Sequence, residues 1–257
     1  MKYVTVVLLT LLTIVVLVFG QTHWSSQISQ TTATENTETK KEHTKSKEEQ
    51  KTSVSFDHVQ DTELKNALEK AIEDHDQANI LISGSTALGD QESGLGITIS
   101  QELQKSFKEN VAVSYIGFEG TSTELIEENL ISDYQETKPD ILILENMTLA
   151  DNSGGYASVM ANLENISTII QELKNQNEDL YVILMPPHPI PNATNYPKQV
   201  EAAKEYAAEN NLTYIDHWQS WPTDDTELKE YLIEGSSAPN EKGIELWSKE
   251  VLKLFGI

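Results

Sequence analysis

The sequence predicts an α/β fold, a three-layer α/β/α sandwich around a five-stranded parallel sheet. Three observations predict it. Five short apolar runs recur between Asn79 and Ile215. Segments with apolar residues every three or four positions separate them. One run, Ile141 to Leu144, is apolar without interruption, as a strand buried on both faces should be. Alternation of this kind closes into a parallel sheet with helices on both sides.

Each element has its own signal. Leu64, Leu68 and Ile72 recur every four residues and predict a first helix. Asn79 to Ser83 is the first strand. Leu95, Ile99, Leu103 and Phe107 stripe a second helix, and Val111 to Ile116 is the second strand. Thr121 to Leu130 reads as one helix, and Asp140 to Leu144 as the third strand. Val159, Leu163, Ile166, Ile170 and Leu173 define a long helix. Tyr181 to Met185 is the fourth strand, stopped by Pro186 and Pro187. Val200, Ala203 and Ala207 mark another helix, and Leu212 to Ile215 the fifth strand. Asp224-Asp225 reads as a helix N-terminus. Asn240 is the expected N-cap of a last helix whose Ile244, Trp247, Val251 and Phe255 face inward.

Three regions follow from composition. Tyr3 to Phe19 is uncharged and broken only by threonines, with Lys2 before it and no acid until Glu35. Residues 1–20 therefore read as a transmembrane signal anchor, with the chain beyond them outside the cytoplasm; a cleaved signal peptide is the competing reading. Of the 36 residues from Gln21 to Phe56, 28 are Ser, Thr, Glu, Lys or Gln, too polar to offset the entropy of ordering. Residues 21–58 are expected to be a disordered stalk, reaching roughly 30–35 Å. Residues 59–257 form the expected folded domain.

The net charge of -23 falls entirely on that domain, which carries 12 Lys, no Arg and 35 acids. Such a surface repels phosphodiester backbones, so no nucleic-acid partner is expected. Without cysteine there is no disulfide, thiolate metal site or lipidated Cys anchor. No metal or cofactor is expected either. The Glu73-Asp-His-Asp76 cluster fans around a helix end, and Gly94-Leu-Gly96 lacks the dinucleotide fingerprint.

Parallel sheets place ligand sites at the carboxyl ends of their strands. Strand one runs into Ser83-Gly-Ser-Thr-Ala-Leu-Gly89. A serine on such a turn suits acyl transfer, although a plain Gly/Ser turn reads the same way. His188 follows strand four in Pro186-Pro-His-Pro189, and His217 follows strand five; either could also be a turn or core histidine making one hydrogen bond.

Four segments resemble the SGNH/GDSL hydrolases. Ile80 to Gly89 resembles the first block, with Ser85 matching the nucleophile. Phe118-Glu-Gly-Thr121 resembles the second, with Gly120 matching the glycine whose N–H contributes to the oxyanion hole. Lys138 to Glu145 resembles the strand leading to the third block. Ala238-Pro-Asn-Glu-Lys-Gly243 with Trp247 resembles the C-terminal block and last helix. The resemblance implies a flavodoxin-like strand order 2-1-3-4-5 and a serine esterase or deacetylase. Its partner would be a small-molecule or glycan ester, and the membrane would be met only through the N-terminal segment.

The departures are as specific. Gly84 stands where the family has Asp before the nucleophile. Ala150 stands nearest the oxyanion Asn, so Asn152, or else Asn146, is the expected amide donor. Gly235 and Ala238 replace the Asp and His that activate the serine. His188 is then the expected base, since a loop could carry it to Ser85 more readily than His217. Two functions follow: an exported ester hydrolase acting at the cell envelope, or a binding or scaffold module that kept the fold and lost the triad. An acyltransferase would use the same serine.

Overall fold

The computed structural model describes residues 56–90, 93–155 and 158–257. The expected anchor, and the stalk as far as residue 55, lie outside the described residues. Among those described, no helix is long and apolar enough to cross a membrane.

Five parallel strands, β1 (Ala78–Ser85), β2 (Val111–Phe118), β3 (Ile141–Glu145), β4 (Tyr181–Met185) and β5 (Thr213–Tyr214), lie in the order β2-β1-β3-β4-β5. This is the expected α/β sandwich and strand order. Side chains alternate along each strand, and the apolar runs use both faces. Ile80, Ile82, Ile141, Ile143, Ile183 and Met185 enter one core, and Leu81, Leu142, Leu144, Val182 and Leu184 the other.

The first core is covered by α1 (Thr62–His75), α2 (Leu95–Phe107) and, late in the chain, α9 (Glu241–Leu254). The second is covered by α3 (Ser122–Glu127), α4 (Ile131–Glu136) and α6 (Val159–Lys174), with Ala207 of α7 (Tyr196–Glu209). Two short helices, α5 (Thr148–Gly154) and α8 (Asp225–Leu228), complete the described set. Asn240 caps α9 as expected, its side chain accepting from the N–H groups of Lys242 and Gly243. Asp224 caps α8 in the same way.

Three local expectations change. The single helix expected over 121–130 is two, because Asn129 adopts a left-handed conformation (φ 57°) and breaks the ladder between α3 and α4. Helix α5 carries no apolar stripe long enough to reveal it. Strand β1 runs two residues further than expected, so Ser85 is its last residue.

The folded unit also reaches into the segment read as stalk. Phe56 is buried, its ring 5.1 Å from that of Phe107, and the His58 ring stacks on Phe107 at 5.4 Å. Phe107 in turn meets Phe255 at 6.4 Å, which ties the start of the domain to its last helix. Removing the Phe56 ring leaves a cavity under this junction. Phe56→Ala should lower unfolding free energy by about 3 kcal/mol, read as a shift in urea midpoint at unchanged m-value; an unchanged midpoint would place Phe56 outside the core.

Candidate active site

Strand order brings the carboxyl ends of β1 and β3 side by side, and both end in a polar residue. Ser85 closes β1 and is 2 % exposed; Glu145 closes β3 and is 0 % exposed. A 3₁₀ turn, Thr86–Leu88, starts directly after Ser85, and its Ala87 N–H donates to Ser85 Oγ at 3.2 Å. The Ser85 hydroxyl donates to Glu145 Oε2 at 2.7 Å, and the Ser85 backbone N–H donates to the same oxygen at 2.7 Å. Glu145 Oε1 accepts from the Met147 N–H at 2.7 Å. Met147 makes that bond from a left-handed backbone (φ 59°), a strained state for a non-glycine residue.

Burial pushes the Glu145 carboxyl up, against the downward pull of the Ser85 and Met147 hydrogen bonds; the nearby Asp151 pushes the same way as burial. The balance is a carboxylate more easily protonated than a solvated one. Gly84 explains how this side chain fits. A Cβ on Gly84 would lie 2.6 Å from Glu145 Cβ and 2.7 Å from Oε2. The place where the resemblance expects an aspartate is filled from the neighbouring strand.

Ser85 opens onto a cleft of about 390 Å³ whose walls include Gly120, Ala150, His188, Ser237 and Ala238. Gly120 lies where β2 leads into α3, just ahead of Thr121, the N-cap of α3, which forms a reciprocal capping box with Glu124. A Cβ at Gly120 would meet the tip of the Phe118 ring at 2.5 Å, so a side chain there would have to push that ring aside. The cleft therefore has bare backbone at this wall.

His188 reaches the cleft from the loop after β4. Tyr196 Oη donates to the carbonyls of Pro187 and His188, and Trp218 Nε1 donates to Pro187, so the loop is pinned. The His188 Nε2–H donates to the Ser237 carbonyl, which leaves Nδ1 as the unprotonated nitrogen, buried and, among the described residues, without a protein partner. The ring rests among Trp221 and Trp247, 6.2 Å and 5.8 Å away. Burial pushes its pKa down to about 4 despite the bond to Ser237. Among the described residues no hydrogen bond joins His188 to Ser85, whose hydroxyl is turned to Glu145.

The other expected residues are placed elsewhere. Asn152 is exposed and exchanges two amide hydrogen bonds with Gln199, at 2.7 and 2.9 Å. Asn146 is buried, with its Oδ1 accepting from the N–H and hydroxyl of Thr148. Ala150 lines the cleft instead. His217 is fully buried and stacked on Trp247 at 4.6 Å, with Nε2–H bonded to the Pro186 carbonyl and Nδ1 accepting from Trp221. It is a packing residue, held near a pKa of about 3 by burial. Glu145 was passed over in the sequence reading, although one signal marked it: a carboxylate ends an apolar strand expected beside the serine strand.

Comparison with solved structures decides the fold's identity. A carbohydrate esterase family 3 protein from Talaromyces cellulolyticus superimposes with a TM-score of 0.59 at 11 % identity, over 70 % of this chain and 98 % of its own. A GDSL-like lipase from Parabacteroides merdae gives 0.58 at 13 %, over 70 % and 96 %. A catalytic mutant of an acetylxylan esterase from Geobacillus stearothermophilus gives 0.52 at 16 %, over 70 % and 94 %. The chain has the fold of the SGNH/GDSL hydrolases. No family model and no curated protein matches the sequence itself. By the sequence resemblance alone, Ser85 matches the family's serine, while Gly235 and Ala238 stand where its C-terminal Asp and His are expected.

The two buried imidazoles make a pH prediction. An unfolded histidine titrates near 6.5, whereas these titrate near 4 and 3. As pH falls from 7 to 4 the unfolded chain takes up protons first, so each ring withdraws stability, roughly 3 kcal/mol by pH 4. Glu145, with its carboxyl raised, works in the opposite sense over the same fall. Nitrogen NMR should find both rings uncharged at pH 5; a charged ring at either position would show that it is not buried in this way.

Proposed function

We propose that the chain is an exported serine ester hydrolase of SGNH type, acting on an ester or acetyl group at the cell envelope. One observation carries the reading. A serine hydroxyl at the carboxyl end of the sheet faces a cleft and is hydrogen-bonded at 2.7 Å to a buried carboxylate. Ser85 Oγ would attack the carbonyl carbon, giving an acyl-enzyme that water then resolves. The bare wall at Gly120 is the surface against which the carbonyl oxygen would lie. That solved proteins of the same fold include an acetylxylan esterase and a carbohydrate esterase supports an acyl group on a glycan as the substrate class. The domain's negative charge favours a neutral substrate over an anionic one. Export and attachment to the membrane are supported by the run from Tyr3 to Phe19 and the polar stretch after it.

A second reading, a binding module on the same fold, has its own observations. The Ser85 N–H, which an oxyanion hole would use, is taken by Glu145, and Ala238 offers no imidazole. The two readings separate in one experiment on the full-length protein. An alkyl fluorophosphonate should label the wild type and leave Ser85→Ala unlabelled. A folded wild type that resists labelling would exclude the hydrolase and leave the binding module.

A further inference from the structure

We infer that Glu145 is the general base for Ser85, a carboxylate supplied by β3 in place of the Asp and His that positions 235 and 238 lack. The inference rests on Ser85 being the nucleophile, as proposed above. Contact is the first ground. A general base must lie within hydrogen-bond reach of the proton it removes, and Glu145 Oε2 is the acceptor of the Ser85 hydroxyl at 2.7 Å.

The second ground is the way the site is built around that contact. Gly84 leaves room for the Glu145 side chain, which any Cβ there would displace. The Met147 N–H holds the far oxygen, Oε1, so that Oε2 faces the serine. The arrangement orients one carboxylate oxygen at one hydroxyl. The third ground is that, among the described residues, no other cleft carboxylate or imidazole is hydrogen-bonded to the Ser85 hydroxyl. Glu124 accepts from both the N–H and the hydroxyl of Thr121. His188 donates to Ser237 and has no hydrogen bond to Ser85.

The proton count closes. Ser85 Oγ forms a bond to the ester carbonyl carbon while its proton passes to Glu145 Oε2. As the tetrahedral adduct collapses, the bond from carbon to the leaving oxygen breaks, and Glu145 returns the proton to that oxygen. Water then attacks the acyl-serine, loses a proton to Glu145, and the acid departs as Ser85 Oγ recovers it. One charged group lies close enough to influence the base. Asp151, whose carboxylate accepts from Ser122 and Asn162, raises its proton affinity. Burial is the larger cause of the same upward shift, and a carboxylate of higher proton affinity is the stronger base.

The test measures the rate of fluorophosphonate labelling of Ser85 from pH 5 to 9 in the full-length protein and in Glu145→Gln and Glu145→Asp. The wild-type rate should climb with pH along one ionisation lying above the ordinary carboxylate range. Glu145→Gln should slow labelling by about 100-fold or more and flatten the profile. Glu145→Asp, with its carboxylate drawn back by one methylene, should keep part of the rate and shift the ionisation. A folded Glu145→Gln that labels at the wild-type rate overturns the inference while the hydrolase stands. If Glu145→Gln does not fold, the wild type and Glu145→Asp decide. A wild-type rate that does not change with pH, or an ionisation unmoved in Glu145→Asp, then overturns it. A wild type that never labels removes the hydrolase reading itself, and this inference with it.

Discussion

A carboxylate buried at the end of the sheet is the constraint around which the carboxyl-end site is arranged. Taking an ionised carboxylate out of water is costly unless its oxygens are met by donors. Glu145 meets that demand with three: the N–H and hydroxyl of Ser85, and the N–H of Met147. Each donor fixes something else. The Ser85 bonds hold the end of β1 against the end of β3, across 60 residues of chain. The Met147 bond holds a left-handed turn that launches α5, and α5 forms part of the cleft wall.

A second polar cluster carries the same logic outward. Asp151 of α5 accepts from the N–H and hydroxyl of Ser122 at the start of α3 and from the Asn162 amide on α6. Asn162 also donates to the Asn146 carbonyl just past β3. Three helices that cover one face of the sheet are thus tied to the strand end that holds Glu145. Partly satisfied networks of this kind are costly in a low-dielectric interior, whereas satisfied ones specify a single arrangement. On the opposite side of the cleft, Tyr196 and Trp218 fix the loop carrying His188 through its carbonyls.

Much of this was readable in the sequence, for a physical reason. Strands buried on both faces must be apolar throughout, and covering helices must repeat at three or four, so the sheet and its large helices announce themselves locally. Asn240 and Asp224 were legible as caps because the capping bond spans only two or three residues. The break at Asn129 was not, since a left-handed residue leaves no periodic trace. Ser85, Gly120 and His188 were placed at strand ends by pattern and resemblance, and the fold sets all three on one cleft. Asn152, the expected amide donor, is not among the residues that line that cleft: its side chain is held by Gln199, 47 residues away, which no local pattern announces. Glu145 was overlooked for the same reason, because its meaning depends on Gly84 in the adjacent strand.

The close packing of Gly84 against Glu145 also constrains how such a sequence could have changed. Growth of a side chain at 84 is blocked while the glutamate is in place, by less than 3 Å of clearance. Loss of the glutamate alone would leave an empty, polar-lined hole beside the serine. The two positions therefore cannot exchange carboxylates in either order without passing through a crowded or hollow intermediate. A lineage that had moved its carboxylate from one strand to the other would be held there, whatever later became of its catalysis.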